Sequence, residues 1–296
     1  MKIVNISALR AEDVAALLRE AATYLLTDPK RSGCCVYLGG SGRLLVTGDL
    51  HDNPIHFSKI VAFAELEHPD NHLILQELIH GDRLFNGVDM SWYMLAKAAD
   101  LIVQFPHQVH VMLANHELAQ AFDQKVSKGA GENTALFNAG LLYKFGDDAS
   151  IVNEAIQVFV RALPLAVKTE NGVLCSHSLP GPYDMQLFDM NILGRELRDE
   201  DYQVRIGSAW QMTWGRSQTA EQVEDFAKAW GVKVFIMGHA AVQDGAMAAS
   251  PLMLLMNSDH ERGMVLPLQL ASEVIHAQDL MLLVVPIACI EGSLSD

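Results

Sequence analysis

Residues 44–53 read LLVTGDLHDN. A short apolar run stops at Gly48, and Asp49 and His51 follow two residues apart. In extended chain, residues i and i+2 point to the same side. Asp49 and His51 can therefore aim an oxygen and a nitrogen at one point, and a divalent cation suits such a pair. A surface turn after a strand could carry the same letters, so the rest of the chain has to decide.

Four more apolar runs end on side chains able to hold a metal. LILQELIHGDR (73–83) supplies Asp82, and VHVMLANHE (109–117) supplies Asn115 and His116. GVLCSHSLPGP (172–182) supplies His177, and VFIMGHA (234–240) supplies His239. Open α/β sheets carry their sites just beyond strand ends, where loops hold polar groups on a rigid base. Separate segments that all end this way point to one shared centre. Carboxylate, imidazole and amide oxygen are hard-to-borderline donors that suit Mn, Fe or Zn.

The order GDxH, GD, NHE, H, GH resembles the calcineurin-like metallophosphoesterases. It is most similar to the phosphoprotein-phosphatase branch and its bacterial relatives, the serine/threonine phosphatase-like and diadenosine tetraphosphatase-like enzymes. The motifs span residues 48–239. The resemblance implies an α/β fold, a four-layer α-β-β-α sandwich of two mixed sheets flanked by helices. It implies two divalent metal ions, with Asp49 and His51 on one, Asn115, His177 and His239 on the other, and Asp82 bridging both. A bridging hydroxide would attack phosphorus, and His116 would protonate the departing oxygen.

The sequence also departs from that pattern. The branch has GDxxDRG where this chain has GDRLFNG (81–87), so Phe85 stands for the Asp that orients the catalytic histidine and Asn86 for the phosphate-gripping Arg. Asp89 or Asp52 is the candidate replacement for the first, and Arg83 for the second. Arg216, in Trp214-Gly215-Arg216, is the leading phosphate clamp, because a guanidinium fork matches two phosphate oxygens. Arg195 is a weaker candidate of the same kind. His80 is a candidate neighbour of the site, and His260 reads as a turn residue. His56, His68, His72, His107, His110 and His276 have no partner pattern and read as surface or packing residues.

Composition is consistent with this chemistry. The chain has 296 residues, half of them hydrophobic, which suffices for a large core. The formal charge of −15 disfavours a dedicated nucleic-acid binder. The four cysteines (34, 35, 175 and 289) form no CxxC pair and read as buried free thiols. With no long linker or internal repeat, one domain over 1–296 is expected, with an N-terminal amphipathic helix at about 9–26 and a helical insert at about 117–161. Gly129 and Gly131 should interrupt that insert. No apolar run approaches the ~20 residues needed to span a bilayer. The expectation is a cytoplasmic phosphoesterase acting on a phosphorylated small molecule or phosphoprotein, with neither nucleic acid nor membrane as partner. The alternatives are a nucleotide pyrophosphohydrolase and a degenerate binder of metal or phosphate.

Overall fold

The computed structural model describes residues 5–123 and 133–292. After a short 3-10 turn come α1 (Ala11–Leu26), β1 (Arg31–Ser32), β2 (Cys35–Leu38), β3 (Arg43–Asp49), α2 (Pro54–Ala64) and β4 (His72–Gln76). A small hairpin of β5 (Leu84–Phe85) and β6 (Val88–Asp89) leads to α3 (Trp92–Gln104), β7 (Val109–Met112) and α4 (Asn115–Ala121). Then follow α5 (Asn133–Phe145), α6 (Ala149–Ala162), β8 (Ala166–Thr169), β9 (Val173–Ser176), α7 (Ser208–Trp214) and α8 (Ala220–Trp230). The chain continues with β10 (Val234–Met237), β11 (Ala246–Ser250), β12 (Met253–Met256), β13 (Met264–Gln269), α9 (Ala277–Met281) and β14 (Val285–Pro286).

The strands form two mixed sheets. One runs β1-β2-β8-β9-β10-β12-β11 and the other β14-β13-β3-β4-β7. Pairing is parallel within β3-β4-β7 and within β9-β10-β12, so each sheet brings several strand C-termini to one edge. Side-chain alternation explains why the sheets stack. Leu44, Val46 and Ile74 meet Val167, Cys175, Val234 and Ile236 from the other sheet in one buried cluster. Their neighbours Leu45, Leu73 and Leu75 face outward into the apolar layer shared with the helices. Helix α8 covers the opposite face, where Trp230 lies 6.3 Å from Phe235 at ring centroids.

Local signals account for most boundaries. Asn53 caps α2 by accepting the His56 N–H at 3.0 Å, with Pro54 as the first helical residue. Thr219 caps α8 by accepting the Gln222 N–H, and Gly231 closes that helix at φ 59°. Gln222 does not complete a capping box, because its amide donates to Pro180 and Gly181 oxygens instead. The Asn171-Gly172 turn joins the antiparallel β8 and β9, with Gly172 at φ 96°. The Gly39–Gly42 turn carries the chain from one sheet to the other.

Three expectations are corrected or bounded. The apolar run within 73–83 is strand only to Gln76, so Asp82 does not stand at a strand end; Leu78 and Ile79 are fully buried but lie past the strand. Among the described residues, the helical region expected over 117–161 holds α4, α5 and α6, and Gly129 and Gly131 lie outside those residues. Three cysteines are buried free thiols, whereas Cys289 is exposed. Burial pushes the Cys34 and Cys35 thiols up to about 12, which keeps them protonated and unreactive. Among the described residues, no helix is long and apolar enough to cross a membrane.

Candidate metal centre

The parallel strand ends build the site from both sheets. Asp49 ends β3, Glu77 follows β4, Asn115 opens α4 after β7, His177 follows β9 and His239 follows β10. Asp49 is fixed by the other sheet: both its oxygens accept the His239 backbone N–H at 3.0 Å, and Asn257 Nδ2 donates to Oδ2 at 3.4 Å. The approach is so close that a Cβ on Gly238 would lie 2.2 Å from Asp49 Oδ1. Left-handed backbone is concentrated here. His51, Asp52, Glu77, His80 and His239 all have φ between 40° and 62°, a conformation that non-glycine residues hold where the surroundings over-determine it.

Glu77 is the hub. His51, Glu77 and His116 offer ligand atoms within 4.8 Å of one another, and so do Asp49, Glu77 and His177. Glu77 Oε2 lies 3.4 Å from His51 Nε2 and 3.6 Å from His177 Nε2, and its Oε1 lies 3.7 Å from His116 Nε2. Glu117 helps hold this loop, with Oε1 accepting the Leu78 N–H at 2.7 Å; burial pushes its carboxyl up to about 7.

The hydrogen-bond network sets the imidazole tautomers. His51 Nδ1 donates to the Ile79 carbonyl at 3.2 Å, which leaves a lone pair on Nε2, the nitrogen facing Glu77. Gln76 Nε2 donates to Thr47 O at 2.7 Å, so Gln76 Oε1 is the acceptor for His177 Nδ1 at 3.0 Å. His177 Nε2 then turns its lone pair toward Asn115 Oδ1, 2.7 Å away. Two lone-pair atoms facing each other in a fully buried place are stabilised by a cation that both can reach as adjacent ligands. His239 Nδ1 joins them, 2.9 Å from the same oxygen. Burial, then the neighbouring His239, His116 and His51, holds His177 well below its usual value, which keeps it neutral as a ligand must be. The outer partners, a carbonyl and a glutamine, are the kind that orient metal-bound histidines. The residues present fit divalent cations.

The other expected site residues divide. His116 and Arg216 line the same cleft of about 460 Å³, with Trp214 and His260 in its wall. Arg216 Nη1 donates to the His239 carbonyl at 3.0 Å. Asp82 is exposed, outside both ligand groups, so the first carboxylate beyond β4 is Glu77 and the expected bridge at Asp82 is corrected. Arg83 is held two-pronged by Asp52, at 3.1 and 3.0 Å, and does not line the cleft. That pairing engages Asp52, and Asp89 accepts the Ser91 N–H at 2.7 Å, so both carboxylates have partners other than His116. Arg195 is tied to Asp189 and Asp201.

Sequence reading missed Glu77, Gln76 and Asn257, whereas His80, a candidate neighbour of the site, stands 5.1 Å from His116 at ring centroids. The missing signal was the end of β4. Read from Gln76-Glu77, the second motif places His80 three residues after the carboxylate, the spacing that GDxxD gives its second Asp.

The family model for calcineurin-like phosphoesterases matches residues 42–243. The chain belongs to that family. As a calcineurin-like phosphoesterase, it is a metal-dependent hydrolase of phosphoric esters. Comparison with curated proteins finds no match. Among solved structures, it is similar to a protein serine/threonine phosphatase from Saccharomyces cerevisiae with similarity to human phosphatase PP5. That likeness has TM-score 0.62 at 17% identity and covers 88% of this chain and 82% of that one. A cold-active protein-tyrosine phosphatase of a Shewanella species superposes with TM-score 0.48 at 13% identity, over 83% of this chain and 79% of that one. The yeast likeness bears on the fold, and the two-sheet sandwich of this phosphoesterase agrees with it.

Proposed function

We propose that the chain hydrolyses a phosphate monoester, carried by a phosphoprotein or a small metabolite, at a dinuclear centre. The observation that carries this reading is Glu77, common to both ligand groups. In this reading Asp49, His51, Asn115, His177 and His239 would hold the cations, with Glu77 within reach of both ligand groups. Bound there, divalent cations neutralise phosphoryl charge and make a water molecule more acidic. The donor set accepts Mn, Fe or Zn alike.

The remaining work falls to this chain's own groups. Arg216, on the cleft wall, grips a phosphoryl oxygen and orients the ester. His116, on the same wall, delivers a proton to the departing oxygen. Its Nε2 stands 3.7 Å from Glu77 Oε1, which places the ring beside the shared carboxylate.

A second reading, a nucleotide pyrophosphohydrolase, draws support from Trp214. Its indole lines the cleft beside Arg216, stacked on Trp210 at 5.8 Å, and offers a wall against which a base could lie. Turnover of p-nitrophenyl phosphate with Mn²⁺, set against the His116→Asn protein, tests the first reading; release well above that background is expected, and release equal to it contradicts it. Diadenosine tetraphosphate as competing substrate separates the two. Preference for it, lost in Trp214→Leu, would favour the pyrophosphohydrolase.

A further inference from the structure

His80 is enclosed and tightly held, at 2% exposure and φ 61°. Its backbone N–H donates to Ser91 Oγ at 3.1 Å, and the Ser91 N–H donates to Asp89 Oδ1 at 2.7 Å. Its ring stands 5.1 Å from the His116 ring, tilted by 49°, and 5.6 Å from the edge-on ring of Phe137. At a further edge, His80 Nε2 lies 3.2 Å from Gln120 Oε1. Gln120 Nε2 donates to Asn138 Oδ1 at 2.8 Å, which turns the Gln120 oxygen toward His80. That oxygen requires a donor, so His80 carries its hydrogen on Nε2.

We infer that His80 is a positioning residue for His116, and that Gln120 and Asn138 hold His80 in turn. The inference rests on the proposed role of His116 as proton donor. Helix α4 carries both His116 and Gln120, four residues apart and so on one face, and His80 touches both. Asn138, from α5, pins the far end. A proton donor works only within hydrogen-bond reach of the departing oxygen, so a ring free to turn loses much of its value. His80 confines that ring through an imidazole that Gln120 anchors at Nε2, an anchor a plain ring lacks, and its effect should therefore depend on how much the departing oxygen needs a proton.

The test uses the Mn²⁺-loaded full chain and two esters. Phenyl phosphate releases a basic phenoxide, whereas dinitrophenyl phosphate releases a weakly basic one that departs without protonation. His80→Phe retains a ring and removes both nitrogens. Its kcat on phenyl phosphate should fall about 10-fold to 100-fold, part of what a general acid contributes. Its kcat on dinitrophenyl phosphate should stay within about twofold, with KM and Mn per chain unchanged, because only the proton-dependent step is affected. Gln120→Met should shift the same ratio by less, and it decides the matter if His80→Phe does not fold. An equal fall on both esters, or none on either, overturns the inference. His116→Asn separates the two layers of argument. If it fails to single out phenyl phosphate, the proton-donor reading falls. If it does so while His80→Phe and Gln120→Met do not, only the positioning inference falls.

Discussion

Strands β4 and β7 carry buried histidines and polar groups at or beyond both ends, and the two ends do different things. At the start of β4 and inside β7, His72 and His110 stack at 5.3 Å, with His72 Nδ1 3.2 Å from His110 Nε2. The carboxylate beside them, Asp28, stands 4.0 Å from His110 Nδ1. At the other end Glu77, Asn115 and His116 join residues of the opposite sheet around a cleft. The first cluster closes on itself within the apolar layer, while the second points several lone pairs at shared places. Buried imidazoles alone therefore do not mark a centre; a shared carboxylate with outward-facing donors does. The two clusters also differ in how they should respond to change.

The largest effect should come at the hub. Glu77→Gln removes a charge shared by both ligand groups, and turnover should fall by on the order of 100-fold or more, read with p-nitrophenyl phosphate and Mn²⁺. Gly238→Ala should come close to it, since the added methyl would lie 2.2 Å from Asp49 Oδ1 and 2.7 Å from Gln76 Oε1. Metal content measured on the folded protein should drop; unchanged content would mean that this close approach does not matter. Arg216→Ala should raise KM about tenfold, a charge-assisted bond to phosphate being worth roughly 1.5–3 kcal/mol and discounted here for exposure. An unchanged KM would return Arg216 to the surface.

The closed cluster should affect stability and leave the chemistry alone. His72→Leu strips a partner from His110 and should cost about 1–3 kcal/mol in urea unfolding, with turnover per folded molecule unchanged. Burial holds His72 at about 4, below the ordinary 6.5, and His110 well below it too. The unfolded chain then binds more protons below pH 6.5, so stability falls as pH drops from there toward about 4. Between pH 7 and pH 5 the loss from His72 should be about 2 kcal/mol. A double His72→Leu, His110→Leu protein should flatten that slope, and an identical slope would assign the pH dependence elsewhere.

Much of the centre was legible because strand ends announce themselves. Asp49, Asn115, His177 and His239 stand directly at or beyond apolar runs, and the structure brings them together with His51. Glu77 was not legible. It is followed by Leu78 and Ile79, which are as buried as strand residues, so periodicity carried the strand past its true end and onto Asp82. Arg83 was lost for a different reason. Its pairing with Asp52 links residues 31 apart in sequence, and no local pattern reveals it. His72 and His110 lacked a partner pattern for the same cause: each is the other's partner across neighbouring strands. The sandwich itself followed from the motif order, while the passage of the Gly39–Gly42 turn between sheets needed coordinates.

The most direct measurement is metal per chain, by elemental analysis of the Mn²⁺-loaded protein, for Glu77→Gln and Asp82→Asn beside the unaltered chain. The account predicts two ions in the unaltered chain and in Asp82→Asn, with Asp82→Asn turnover also within about twofold, as expected of an exposed side chain away from the site. It predicts marked loss of metal in Glu77→Gln. Full metal in Glu77→Gln together with loss in Asp82→Asn would contradict it.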